Sequence, residues 1–136
     1  MSESIIQTTR TSARSPITVV LGATAAAVAI WVVATLAGAE LTVNFAGQPV
    51  QKVTLVNVVV AALVGSLAGW GLLALLRRFT TNARAIWTVM AVVFLMLSLG
   101  GPLAATASAG TKVALVAMHL AVGTVVILGL RRTSGR

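Results

Sequence analysis

The run VALVAMHLAVGTVVILGL, residues 113–130, followed at once by Arg131 and Arg132, decides how this chain folds. Its apolarity is continuous rather than periodic, so a helix made from it has no polar face to turn towards water. At 1.5 Å per residue its 18 residues just cross about 30 Å of hydrocarbon. The same signature recurs upstream at residues 17–38, 53–76 and 85–104. Composition agrees: 58% of the 136 residues are apolar and 9% are charged, too greasy a mixture for one small water-soluble core. The expected fold is an all-α membrane protein, a single four-helix up-down transmembrane bundle over residues 17–130.

Charge placement sets the orientation. The net charge of +8 would suggest nucleic acid in a soluble chain, where basic side chains line a face against phosphate. Here they flank the spans instead, and nucleic acid is not an expected partner. Arg10, Arg14, Arg77, Arg78, Arg84, Arg131, Arg132 and Arg136 fall on one side of the expected layout, and Lys52 and Lys112 on the other. The positive-inside rule then places both termini in the cytoplasm of a bacterial plasma membrane, and this imbalance excludes an inverted dual-topology dimer. Residues 1–16 read as a disordered cytoplasmic tail ending at Pro16, which suits the first turn of a helix. Residues 131–136 read as a basic cytoplasmic tail. Arg77, Arg78, Arg84, Arg131 and Arg132 are expected to meet anionic headgroups, with Trp87 as an interfacial anchor beside them. A cleaved signal peptide is the competing reading of the first span, but its apolar stretch exceeds the 7–15 residues of a signal core.

The one long connection, residues 39–52, alternates Leu41, Val43 and Phe45 with Thr42 and Asn44, turns at Gly47-Gln48-Pro49, and returns with β-branched residues. It predicts a short extracellular β-hairpin with a bulge or loose register on the returning side. A lone hairpin is marginal in water, so its Leu41, Val43, Phe45 face should lie on the helix ends or on a neighbouring subunit.

Several polar residues interrupt the apolar background. His119 is the one ionisable side chain well inside a span, and such a residue is a functional-site candidate by default. Asn57, Ser98 and Thr35 fall at similar height in the other three spans, with Glu40 just above, which suggests a polar pocket open to the outside. The competing reading is a neutral imidazole that pins the bundle through a hydrogen bond. Gly65 and Gly69 form a GxxxG pattern with Gly71 beyond, a stripe that lets helices approach closely. Gly100, Gly101 and Pro102 should break the third span near its outer end, because proline removes a backbone donor there.

The chemistry excluded is broad. No cysteine is present, and two acids with one histidine leave no nucleophile, base and orienter set, so neither an enzyme nor a metal or other cofactor is expected. The leading expectation is a binding or scaffold subunit that self-associates or joins another membrane protein. The alternative is a small transporter or channel with a path lined by His119, Asn57 and Ser98.

The runs Ala85-Ile86-Trp87-Thr88-Val89 to Leu97-Ser98-Leu99-Gly100-Gly101-Pro102-Leu103, Lys112-Val113-Ala114-Leu115 to Met118-His119-Leu120-Ala121-Val122-Gly123, and Gly69-Trp70 resemble a family of small four-helix membrane proteins from actinobacteria, a domain of unknown function. The preference for arginine over lysine looks like a high-GC genome and fits that source. The resemblance covers nearly the whole chain. It implies the fold, the orientation and a cell-membrane location, and it transfers no catalytic role.

Overall fold

A computed structural model describes residues 15–133. Helix α1, Pro16–Leu36, begins where the proline expectation puts it: Ser15 is the N-cap and its hydroxyl accepts the Thr18 N–H at 3.4 Å. Helix α2, Leu55–Phe79, starts after Thr54, whose hydroxyl accepts the Asn57 N–H at 3.3 Å. The third span is α3, Ala83–Ser98, followed after Leu99 by one further helical piece, α4, Gly100–Ala104. The break falls beside the Gly-Gly-Pro run, as the missing proline donor requires. Helix α5, Ala109–Thr133, starts after Ser108, whose hydroxyl accepts the Thr111 N–H at 3.2 Å.

Among the described residues four helical stretches are long and apolar enough to cross a membrane: Pro16–Leu36, Leu55–Phe79, Ala83–Ala104 and Ala109–Thr133. All four overrun the expected spans at one or both ends, the first by a single residue. Arg77, Arg78 and Phe79 continue α2, Arg131 to Thr133 continue α5 where a tail was expected, and α5 starts at Ala109 instead of Val113. The physical reason is that charged side chains end a span without ending a helix, since arginine and lysine are good helix formers. The expected cytoplasmic tails otherwise fall on residues 1–14 and 134–136, outside the described residues.

Helix α1 packs against α5 and α2, and α3 closes the ring against α2 and α5. Short connections make successive helices antiparallel, so the arginine-bearing ends gather at one end of the bundle and the long loop at the other. Two clusters fill the interior. Val19, Ala23, Leu73, Trp87, Val126 and Leu130 occupy the arginine end, and Ala27, Leu41, Val58, Ala62, Ala114 and Met118 the loop end. Outside, Val33, Val64, Val89 and Leu128 are all exposed. A perimeter this apolar on every helix matches hydrocarbon rather than water.

Two close helix contacts use glycines in α5. A Cβ on Gly129 would sit 2.6 Å from Val19 Cγ1 of α1, and one on Gly123 would sit 2.6 Å from Leu95 Cδ1 of α3. The expected α2 stripe is corrected here. Gly69 meets Val126 and Trp87, but around Gly65 and Gly71 nothing lies within 4 Å of a built Cβ. Both glycines face open space.

The loop forms a minimal hairpin, β1 (Thr42–Val43) and β2 (Gln51–Lys52), antiparallel, with Thr42 opposite Lys52 and Val43 opposite Gln51. Its turn lies at Ala46–Gly47, where the Gln48 N–H donates to the Phe45 carbonyl at 2.9 Å and Gly47 has φ 80°. Positive φ at that position suits glycine. Leu41 and Val43 are buried as expected, whereas Phe45 is 39% exposed. The hairpin also gains a partner that the sequence did not suggest: Asn44 and Thr106 exchange backbone hydrogen bonds of 2.9 and 2.8 Å. That bridge ties the loop to the segment between α4 and α5.

Candidate functional site

A groove of about 670 Å³ runs between α2, α3 and α5. Its walls are apolar or small, with Ala61, Gly65 and Ala68 on α2, Phe94 and Leu95 on α3, and Val122 on α5. The gap exists because α2 presents residues without bulk to this side, while the α5 glycines draw α5 towards α1 and α3. Asn57, Ser98 and His119 all line the groove. Three of the four spans therefore contribute one polar side chain to one space, on its loop-end half. Thr35 and Glu40 do not join them. Thr35 is exposed on α1, with its hydroxyl donating to the Trp31 carbonyl at 2.8 Å, and Glu40 is exposed in the loop. Height along the bundle placed all five together; Asn57 and Ser98 are exposed too, and what separates the two sets is which side chains line the groove.

Each polar group retains hydrogen-bonding capacity. His119 Nδ1 lies 2.7 Å from the Leu115 carbonyl. A carbonyl only accepts, so the ring proton sits on Nδ1, and in the neutral ring Nε2 keeps a lone pair. No protein group among the described residues meets Nε2. This bond stays within α5, so it ties the ring to its own helix and leaves Asn57 and Ser98 unbonded to it. Ser98 donates to the Leu95 carbonyl at 2.7 Å, which leaves its oxygen free to accept. The Asn57 side-chain N–H donates to the Lys52 carbonyl at 3.4 Å, leaving the amide oxygen open.

The arginine end of the groove is shut by Trp87. Its ring is 1% exposed, and its Nε1–H donates to the Gly69 carbonyl at 2.8 Å. This corrects the expectation of an interfacial anchor: Trp87 is a core residue that clamps α3 to α2. At the loop end Trp31 plays a parallel part, donating from Nε1 to the Val53 carbonyl at 3.0 Å and holding α1 to the start of α2. Neither bond follows from the sequence, because tryptophan reads equally well as an anchor or as a core residue.

Gly100, Gly101 and Pro102 do not line the groove; Pro102 is buried and the break leads the chain back towards the hairpin bridge. Among the described residues no three metal-ligating side chains gather. Four long apolar helices with an apolar exterior define a multi-pass membrane protein. The chain belongs to a family of unknown function, DUF6069, whose model matches residues 7–136. That agrees with the resemblance to an uncharacterised family over nearly the whole chain. No curated protein and no solved structure matches it.

Proposed function

We propose that the protein is a non-enzymatic binding component of a bacterial plasma membrane, actinobacterial on its arginine preference, with both termini cytoplasmic and the hairpin outside. Its groove holds an amphiphile. The polar head sits beside His119, Asn57 and Ser98, and the apolar body runs along α2 and α3 towards Trp87. The observation that carries this reading is the distribution of polarity in the groove: three polar side chains at one end and an apolar channel beyond them. Ligand sites commonly have this pattern, an apolar lining with a few convergent polar groups that fix orientation.

Passage across the bilayer, as in a transporter, is the alternative. It is disfavoured because the inner half of the groove carries no polar side chain except the Trp87 N–H, which is already bonded to Gly69. The open space around Gly71, away from the groove, supports self-association or a scaffold contact through α2 as an additional property.

The test is mass spectrometry of molecules retained by the purified protein after detergent exchange, for wild type and for the His119→Phe, Asn57→Leu double variant. The reading expects an amphiphile retained by wild type and reduced by about tenfold or more in the variant, the loss of two hydrogen bonds. Circular dichroism should show the fold intact. An empty wild-type groove contradicts the reading. Solute flux into reconstituted vesicles that disappears in His119→Phe would favour the transporter instead.

A further inference from the structure

A second cavity lies at the opposite end of the bundle, between the α2–α3 turn, the first turns of α3 and the end of α5. Its volume is about 550 Å³, and Thr81, Asn82, Arg84, Thr88, Val89 and Arg131 line it. Of the five described arginines at this end, only Arg84 and Arg131 converge on it, from helices that are distant in sequence. Neither has an ion-pair partner among the described residues, where the single carboxylate side chain, Glu40, belongs to the far end.

The free groups in this cleft are dominated by donors. Arg84 and Arg131 line it with Thr81 and Asn82, all four exposed, and neither the Thr81 hydroxyl nor the Asn82 side-chain amide is hydrogen-bonded to another group among the described residues. Thr88 is already committed, donating to the Arg84 carbonyl at 2.7 Å. Planar guanidinium donors match the oxygens of a phosphate in pairs, and two of them favour an anion over any neutral group. The cleft is also open to one side of distinctive character. Val89 forms its upper wall, and the exposed face of α3 continues above it through Val92, Val93 and Met96. An apolar track leading directly away from an anion site fits acyl chains attached to that anion.

We infer that the Arg84–Arg131 cleft is a specific site for the headgroup phosphate of an anionic glycerophospholipid, whose acyl chains lie along the outer face of α3. This rests on the helices spanning a bilayer and is independent of what the α2–α3–α5 groove holds. It differs from a general attraction of basic residues to an anionic surface, because Arg77, Arg78 and Arg132 share that attraction and do not line the cleft.

The experiment uses the full chain in micelles carrying equal amounts of phosphatidylglycerol and phosphatidylcholine, with bound lipid counted by native mass spectrometry. Wild type should retain one phosphatidylglycerol in preference to phosphatidylcholine. Arg84→Gln with Arg131→Gln should reduce that retention by about tenfold or more. Arg77→Gln with Arg78→Gln makes the same charge change at the same end and should leave it within about twofold, since those side chains lie outside the cleft. Excess glycerol 3-phosphate should not displace the lipid. Equal losses in the two double variants would reduce the effect to bulk charge and overturn the site. Displacement by glycerol 3-phosphate would make it a site for free phosphate, and equal retention of phosphatidylcholine would remove the anion from the account; either result overturns the inference.

Discussion

Replacing Trp87 separates its two readings, an anchor in the headgroup region and a clamp in the core. The indole is 1% exposed, packs with Leu73 and Val126, and donates to the Gly69 carbonyl at 2.8 Å. Trp87→Phe keeps an aromatic ring and removes the bond, and hydrogen bonds between membrane helices are worth about 0.6 kcal/mol on average and about 1.7 at most. Trp87→Ala removes the ring as well. In water that truncation costs about 3–5 kcal/mol. In lipid the transfer part falls away, because acyl chains are as apolar as the core, and the lost packing remains, so about 2–3 kcal/mol is expected. Unfolding in mixed micelles, followed by helical circular dichroism against the fraction of denaturing detergent, reads both numbers. Brominated lipids, which quench lipid-exposed tryptophan, should leave the Trp87 component of the fluorescence largely unquenched. If both variants match wild type within about 0.3 kcal/mol, the side chain is at the lipid surface and the clamp is refuted.

Other expectations follow from the same packing. Gly129→Val should cost about 1–3 kcal/mol by driving α1 from α5 against the stiff Val19 side chain, whereas Gly71→Val, with open space around it, should cost less than about 1 kcal/mol; equal effects in thermal unfolding would contradict this helix pairing. Ser66 is fully buried on α2 with no hydrogen-bond partner for its hydroxyl among the described residues, so Ser66→Ala should be neutral or stabilising by about 1 kcal/mol, and a clear loss of stability would mean that the hydroxyl is engaged. Because the chain has no cysteine, single cysteines report topology directly: Gln48→Cys should react with an impermeant maleimide on intact cells and Thr81→Cys only after permeabilisation, the reverse pattern inverting the orientation.

The number of spans, the helix start at Pro16 and the hairpin could be read from the chain because each leaves a local mark: a stretch of uninterrupted apolarity, a proline suited to a first helical turn, an alternation broken by glycine. Facing could not. In a soluble helix the polar side marks the outside, but here lipid and core accept the same residues, and α1 has valine, alanine and isoleucine on every side. Height alone therefore grouped Thr35 and Glu40 with His119, Asn57 and Ser98, although only the last three share the groove. For the same reason the GxxxG pattern in α2 drew notice while Gly123 and Gly129, each isolated in sequence, make the close contacts. The bridge between Asn44 and Thr106 is purely backbone and leaves no signature in residue type.

Blocking the groove from its exposed wall bears most directly on the idea that it is a ligand site. Ala61 lines the groove on its solvent-accessible side and lies outside both core clusters, so Ala61→Trp occupies the space with little effect on packing elsewhere. Mass spectrometry of the purified variant should then find the retained amphiphile gone while helix content and melting temperature stay at wild-type values. Retention equal to wild type, with the indole seated in the groove, would show that whatever the protein carries is held elsewhere.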